Sequence, residues 1–391
     1  MIPYCQHEIR DGDRKAVSEV LASSRLTQGP AVEAFERALG RHTGSEHAVA
    51  VSSGTSALQI ALMAMGIGPG DEVIVPSLTF LATANAVLLC NATPIFADID
   101  PETLSLDPAD VARKVSDRTR GAILVHYAGH VGDVEGCRAA LAEDHFLIED
   151  ACHALGAMDH GQRVGGRADA ACFSFHPAKH ITTGEGGAIT TQSAEFAAKC
   201  RRFREHGVER DASAYQGLGL PDALRAEERG GWVYEMHSLS ANHRLPDLGA
   251  ALGLSQLDRL DEIVERRGAI AHRYEDALAN DPRIELLSER PETESAWHLY
   301  PIRVRSESVV GGRAAIYRAL HEARVGVQVH YIPIHLQPYY RARFGTAFGD
   351  LPATEAAYLE LLSLPLFPSL SESAQDYVLD ALDRALTENA P

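Results

Sequence analysis

The chain has 391 residues, of which 45% are apolar and 23% are charged, as in an ordinary globular enzyme large enough for two domains. Its formal net charge of −18 repels nucleic acid and anionic lipid, which argues against a protein that binds either through a basic patch. An anionic small substrate is compatible with this charge, because it needs only local hydrogen-bond donors.

The first half of the chain alternates helical and strand patterns. Apolar spacing predicts helices at 13–23, 32–41, 57–65, 82–89 and 134–143. Short apolar runs predict strands at 48–51, 72–76, 93–99, 121–127, 145–150, 168–175 and 186–191. This alternation predicts an α/β fold with a mostly parallel sheet that helices cover on both faces.

The second half predicts a smaller α+β domain. A polar, Gly-rich stretch at 210–231 is expected to form a long loop, and the long helical pattern at 247–280 is expected to link the two domains. The expected elements beyond it are strands at 300–304 and 325–331 and helices near 313–323, 353–362 and 374–386. We therefore expect a large domain at 1–250 and a small C-terminal domain at 251–391.

The cysteines and the N-terminus bear on location. The six cysteines form no CxxC pair and most lie in apolar sequence, as is typical of reduced thiols in a cytosolic protein. The first residues do not show the pattern of a signal peptide, and no stretch reaches the roughly 18 apolar residues of a membrane helix. We expect a cytoplasmic protein with no membrane partner.

Lys179 is the most informative residue, because it lies between an apolar strand pattern and a Gly-rich turn in FSFHPAKHITTGEGGAITT. A lysine held there loses conformational freedom and some solvation, and both changes favour a neutral, nucleophilic amine that forms a Schiff base. This segment alone is equally compatible with a surface lysine on a hairpin loop.

Two further motifs precede Lys179 in the chain. Gly54 and Thr55 lie where a strand gives way to a helix, a position that suits phosphate binding or simple helix capping. Asp150 ends an apolar strand, where ligands bind in open α/β sheets, and His153 follows three residues later. The alternative is that Asp150 caps a helix or is a solvated acid in a loop. A phosphate turn, a strand-end aspartate and a loop lysine together meet the needs of pyridoxal phosphate.

The two pairs of histidines do not indicate a metal site. His126 and His130 are four residues apart, as are His176 and His180, which is a spacing that can bind metal on a helix. Both pairs are expected at strand ends or loops, and neither has the HExxH pattern.

The motifs FSFHPAKHITTGEGGAITT, EDACHALG, SSGTSAL and RLTQGPAVEAFE resemble those of the DegT/DnrJ/EryC1/StrS sugar aminotransferases, and the similarity extends over nearly the whole chain. Within the family, LVHYAGHVGDVE and GVQVHYIPIHLQPYY are most similar to the 4-aminotransferases of the pseudaminic acid pathway. Those enzymes act on a UDP-linked 4-keto-6-deoxy-N-acetylhexosamine, usually with glutamate as the amino donor.

The resemblance implies a fold type I pyridoxal phosphate enzyme with a seven-stranded sheet, acting as a homodimer with active sites at the subunit interface. Lys179 would carry the cofactor, Asp150 would pair with its ring nitrogen, and His153 would lie against the ring. The implied phosphate ligands are Gly54, Thr55, Ser174 and, from the neighbouring subunit, Asn242. Phe80 is in the ring-stacking position, although a packing role is its alternative. The implied substrate residues are Tyr4, Leu26, Thr27, Gln28, His330 and Tyr331.

Two other functions are weighed against transamination. Sugar dehydratases that use the same cofactor replace the lysine by histidine, so the presence of Lys179 favours an aminotransferase. A cofactor-binding regulator on this fold usually has a DNA-binding appendage, which the acidic charge disfavours. A dTDP- or GDP-linked sugar and amination at position 3 remain alternatives for the substrate.

Overall fold

The computed structural model describes residues 1–221 and 231–391, so most of the second half of the expected 210–231 loop lies outside the described residues. The helices are α1 (Asp11–Leu21), α2 (Pro30–Thr43), α3 (Gly54–Ala64), α4 (Ala82–Leu89), α5 (Pro108–Lys114), α6 (Val134–Ala140), α7 (Ala194–Arg204), α8 (Asp247–Leu257), α9 (Leu260–Leu278), α10 (Gly312–Glu322), α11 (Pro338–Phe344), α12 (Pro352–Glu360) and α13 (Glu372–Glu388). Within these two ranges no helix has the length and apolar character needed to cross a bilayer.

The strands form one large sheet and several small ones. They are β1 (His47–Val51), β2 (Glu72–Pro76), β3 (Thr93–Ala97), β4 (Thr119–Val125), β5 (Phe146–Asp150), β6 (Met158–Asp159), β7 (Gln162–Arg163), β8 (Ala170–Ser174), β9 (Gly187–Thr191), β10 (Val208–Glu209), β11 (Glu235–Met236), β12 (Ile284–Leu286), β13 (Thr293–Glu294), β14 (Tyr300–Val304) and β15 (Leu361–Leu364).

The large sheet has seven strands in the order β1-β9-β8-β5-β4-β2-β3. Strands β3, β2, β4, β5 and β8 are parallel, whereas β9 is antiparallel to both of its neighbours, β1 and β8. The predicted seven-stranded, mostly parallel sheet is therefore confirmed. Because β1 runs in the same direction as β5 and β8, the carboxyl ends of all three meet at one edge.

Apolar side chains cover both faces of this sheet. In β1, Val49 and Val51 join a cluster with α3, α4 and α7, whereas Ala48 and Ala50 join a second cluster with α2 and α8. This alternation follows from the two-residue period of a strand. Helices on both sides thus bury the sheet and leave its carboxyl edge for a ligand.

The C-terminal part has its own antiparallel sheet, β12-β14-β15, packed with α9, α10 and α13 around a separate apolar cluster. A helix was expected to continue to residue 362, but Leu361–Leu364 is a buried strand paired with β14. The expected strand at 325–331 makes only isolated bridges, at Val325 and Gln328. Both predictions were wrong because short apolar runs do not distinguish strand from helix or loop. The division between residues 250 and 251 falls inside α8 and stays a prediction.

Candidate active site

A cavity of about 440 Å³ opens at the carboxyl edge of the large sheet. Asp150 ends β5, Ser174 ends β8, and Gly54 begins α3 just after β1. Lys179 enters the cavity from the loop between β8 and β9. The sequence-predicted residues that line the cavity are Tyr4, Gly54, Thr55, Phe80, Asp150, His153, Ser174, Lys179, His330 and Tyr331.

The other predicted residues, Leu26, Thr27, Gln28 and Asn242, do not line this cavity within the described part of the chain. The amide of Gln28 donates to the Glu205 carboxylate at 2.8 Å, and Asn242 forms an isolated backbone bridge with Glu205. The Asn242 side-chain oxygen accepts from the Arg244 backbone N–H at 3.2 Å. We call the patch formed by Gln28, Glu205, Asn242 and Arg244 the Glu205 surface. It is separate from the Lys179 cavity of the same chain.

Asp150 presents a buried carboxylate, with the residue only 5% exposed. One oxygen accepts from the Thr83 hydroxyl at 2.8 Å, and the other accepts from the Cys152 backbone N–H at 3.3 Å. Thr83 belongs to α4 and is fully buried. A buried anion with so few donors is stabilised when a ligand brings a protonated group beside it.

Lys179 is half-buried and keeps partial contact with solvent through the cavity that it lines. Burial lowers the pKa of its amine from the ordinary value of 10.5, and Cys152 and Asp150 oppose that shift. Its Nζ lies 3.4 Å from Nε2 of His298. An amine with a lowered pKa is more often neutral at a given pH and is therefore a better nucleophile.

Three buried histidines lie close to this amine. His298 is in ring contact with His153, at 4.3 Å between centroids, and with His180, at 5.7 Å. Burial lowers the pKa of His180 to about 3 and the pKa values of His153 and His298 well below 6.5. All three rings are therefore neutral near pH 7, so His153 and His298, which line the cavity, and His180 behind them add no positive charge.

The N-terminus of α3 faces the same cavity. Ser53 caps the helix by accepting from the Ser56 backbone N–H at 3.0 Å, and the first amides of the helix lack intrahelical partners. A Cβ added at Gly54 would lie 2.9 Å from Cβ of Ser174 and 3.1 Å from Sγ of Cys152, so glycine is required by close packing. Free amides and the helix dipole together suit a phosphate group.

Aromatic rings form another wall of the cavity. The Tyr331 hydroxyl lies 3.1 Å from Nε2 of His153, and the Tyr331 ring is 5.9 Å from the exposed ring of Phe80. Tyr4 packs 5.7 Å from His330, and burial is the main cause that raises the pKa of Tyr4 to about 12. This wall is therefore uncharged near pH 7 and offers stacking area and hydroxyl groups.

The paired histidines have other partners. Nδ1 of His126 accepts from the Gly132 backbone N–H at 3.0 Å, so its Nε2 carries the hydrogen and donates to Glu149 at 3.2 Å. His130 packs edge-on against Trp297 at 4.7 Å. In the part of the chain that the structure describes, no group of three or more His, Cys, Asp or Glu residues is placed to hold a metal ion.

Comparison with known proteins identifies the family. The model of the DegT/DnrJ/EryC1/StrS aminotransferase family matches residues 7–383. The chain belongs to this family. The spore coat polysaccharide biosynthesis protein SpsC of Bacillus subtilis (strain 168) is 39% identical over 384 residues, which cover 97% of this chain and 96% of SpsC.

Solved structures of family members agree with the fold. Spr1654 from Streptococcus pneumoniae in its PMP form, described as a sugar aminotransferase, superposes with a TM-score of 0.91 at 29% identity, covering 99% of this chain and 100% of that one. Helicobacter pylori PseC, an aminotransferase involved in the biosynthesis of pseudoaminic acid, superposes with a TM-score of 0.87 at 30% identity, covering 99% of both chains. The protein is a pyridoxal phosphate-dependent sugar aminotransferase.

The cavity fits this cofactor. It combines a buried carboxylate, the free amides at the start of α3, and a lysine with a lowered pKa. Nδ1 of His153 is buried and has no partner among the described residues, which leaves a polar atom for a ligand. Bound pyridoxal phosphate supplies an electron sink for carbanion chemistry.

Proposed function

We propose that this enzyme transfers an amino group from glutamate to position 4 of UDP-4-keto-6-deoxy-N-acetylhexosamine. The observation that carries the proposal is the juxtaposition of the Lys179 amine and the buried Asp150 carboxylate in one cavity that also has a ring-lined wall. The similarity over 99% of both chains to PseC, an aminotransferase involved in the biosynthesis of pseudoaminic acid, supports a sugar of that kind of pathway as the substrate. The product would be an amino sugar for a polysaccharide or glycan, as the name of SpsC suggests for that relative.

The cofactor would be held at both ends of the cavity. The amides of Gly54 and Thr55 and the hydroxyl of Ser174 would bind its phosphate. The Asp150 carboxylate, oriented by Thr83, would pair with its ring nitrogen and keep that nitrogen protonated. These residues would hold the cofactor in the cavity that Lys179 lines.

Lys179 would be the acid–base residue of both half-reactions. With pyridoxal phosphate bound as the electron sink, the Nζ of Lys179 would take a proton from the donor's α-carbon and later give that proton up. The same steps in reverse would aminate the keto sugar. The lowered pKa supports this role, because a neutral amine is needed to accept the proton.

The uncharged wall would receive the sugar. Phe80, Tyr4 and Tyr331 provide ring area, and His330 and the hydroxyl groups provide hydrogen-bonding atoms. Among the described residues that line the cavity there is no arginine. The substrate diphosphate and the donor carboxylates would therefore need cationic groups from elsewhere.

A homodimer would supply these cationic groups from the partner subunit. Asn242 lies on the Glu205 surface together with Arg244, and the Leu26–Gln28 segment joins the same surface through Gln28. We assign Asn242, Leu26, Thr27 and Gln28 to the cavity of the partner subunit, where Arg244 would add positive charge. The cofactor site of each subunit would then be complete only in the dimer.

Mixing two inactive proteins tests this arrangement. Lys179→Ala and Asn242→Ala homodimers should each have low activity. A mixed dimer has one intact site if Asn242 acts on the partner, so refolding the two together should restore about a quarter of wild-type activity. Activity that stays at the low level of the separate variants would show that Asn242 acts within its own chain, and wild-type activity of the Asn242→Ala homodimer would show that Asn242 has no role in the site.

A substrate panel tests the reaction. The enzyme is incubated with glutamate and with UDP-, dTDP- and GDP-linked 3- and 4-keto sugars, and 2-oxoglutarate and amino sugar are measured by mass spectrometry. The UDP-linked 4-keto-6-deoxy-N-acetylhexosamine should be aminated fastest. Faster amination of a dTDP- or GDP-linked sugar would show that this sugar, and not the UDP-linked one, is the substrate. Loss of a sugar hydroxyl without formation of 2-oxoglutarate would indicate a dehydratase.

A further inference from the structure

His298 lies in the segment between β13 and β14, far from the Lys179 loop in sequence, yet its Nε2 faces the Lys179 amine at 3.4 Å. We propose that His298 is a positioning residue whose neutral imidazole accepts a hydrogen bond from Lys179 and holds the amine in place while it carries a proton. The proposal rests on the role of Lys179 proposed above. The distance is long for a hydrogen bond, as contacts of catalytic groups often are before substrate binds.

The backbone around His298 is fixed by buried hydrogen bonds. The Arg267 guanidinium donates to the carbonyl of Trp297 at 3.1 Å and to the carbonyl of His298 at 3.2 Å. On the other side, the Leu299 N–H donates to the carbonyl of Ala128 at 3.0 Å. Because these bonds hold the chain on both sides of His298, its ring has a defined place from which to hold a flexible lysine.

The ring has one polar contact among the described residues, and that contact is Lys179. Nδ1 of His298 is buried and has no partner there, so no other group selects its tautomer. For Nε2 to accept from the amine, the hydrogen must be on Nδ1. The Lys179 contact is therefore itself the interaction that sets the tautomer.

The charges around the pair explain why an acceptor is needed. The groups that act on the Lys179 amine or the His298 ring are His153, His180, Cys5, Cys152, Asp150 and Arg267. Burial and the Arg267 charge favour the neutral amine, whereas a general acid–base group must also be able to hold the proton it moves. A neutral acceptor at Nε2 stabilises the protonated amine without adding a charge.

The test titrates Lys179 in the cofactor-free enzyme. The pH dependence of its labelling by trinitrobenzenesulfonate is followed on the Lys179 peptide by mass spectrometry. His298→Phe keeps a buried ring but removes the acceptor, and should lower the apparent pKa of Lys179 by about one pH unit. His298→Gln restores an acceptor and should recover part of the shift.

His130→Phe is the matched control, because His130 is another buried histidine, 4% exposed against 6% for His298, that does not line the cavity. It should leave the Lys179 titration unchanged. If His298→Phe does not fold, His298→Met removes the acceptor with a flexible side chain and has the same expected result.

The same variants are then assayed with cofactor. His298→Phe should lower kcat about tenfold or more while KM for the amino donor changes little, since a misplaced amine affects the chemical step. A Lys179 titration in His298→Phe that equals wild type, or that shifts upward, would overturn the proposal and leave His298 a packing residue. Because the titration needs neither cofactor nor sugar, its outcome is independent of whether the proposed substrate is right.

Discussion

Replacing Thr83 by valine tests whether α4 orients the Asp150 carboxylate through a hydrogen bond. The Thr83 hydroxyl donates to Asp150 at 2.8 Å, and both residues are buried. Valine has nearly the same shape but no hydroxyl, so the carboxylate keeps only the Cys152 N–H at 3.3 Å. The Thr79 hydroxyl, 3.1 Å from that of Thr83, lines the cavity and can turn to water.

The expected loss of stability in Thr83→Val follows from the charge of the Asp150 carboxylate. A hydrogen bond to a buried charged group contributes about 1.5–3 kcal/mol, against about 0.5–1.5 kcal/mol for a neutral pair. We therefore expect Thr83→Val to lower the free energy of unfolding of the cofactor-free enzyme by about 2 kcal/mol. In an Asp150→Asn background the same change should cost only about 1 kcal/mol, because the lost bond is then to a neutral amide.

Urea unfolding followed by circular dichroism measures all four proteins of this double-mutant cycle. Thr354→Val is the control, because Thr354 is equally buried but its hydroxyl has no partner among the described residues. Removing that hydroxyl should be neutral or stabilising. A Thr83→Val cost no larger than that of Thr354→Val, or the same cost with and without the Asp150 charge, would refute the reasoning.

Two further predictions concern pH and the phosphate end of the cavity. Burial lowers the pKa of His130 to about 4, so the unfolded chain takes up a proton that the folded protein does not, and stability falls as pH drops below about 6.5. In urea unfolding, the free energy of unfolding should fall between about pH 7 and pH 5 by about 2 kcal/mol less in His130→Phe than in the wild type. An equal fall in both proteins would count against His130 as its cause. Gly54→Ala should weaken pyridoxal phosphate binding about tenfold or more in a fluorescence titration, because its Cβ would lie 2.9 Å from that of Ser174. Gly68→Ala, whose Cβ would meet open space, should bind normally, and equal affinities for the two variants would show that this packing is unimportant.

Local sequence patterns predict the large sheet well because each of its strands is short, apolar and followed by a turn or helix. The strand at 72–76 was predicted with the boundaries that the structure has. The long helical pattern at 247–280 is divided into α8 and α9, since Arg259 lies outside the helical region at φ −117° and ψ 18°. Leu361–Leu364 became a strand because β14 lies beside it, which is a tertiary effect that apolar periodicity does not contain.

In the candidate site, too, the sequence predicts some residues and gives no signal for others. The placement of Lys179 and Asp150 at the ligand edge could be predicted, because each lies at or after the end of a strand pattern, and both line the cavity there. Their roles stay predictions. Thr83 and His298 were missed, since they reach the site from a helix and from a distant segment, and one sequence gives no signal for either contact. Asn242 was expected to act from a partner subunit, and the single chain places it on the Glu205 surface rather than in the cavity.

Chemical trapping of the cofactor tests the central claim most directly. The enzyme loaded with pyridoxal phosphate is reduced with borohydride, digested and mapped by mass spectrometry. The mass of the reduced cofactor should appear on the peptide that contains Lys179, and Lys179→Ala should take up none. Cofactor mass on Lys15, Lys114 or Lys199 instead, or on no lysine of the wild-type enzyme, would contradict the assignment of Lys179 as the residue that carries the cofactor.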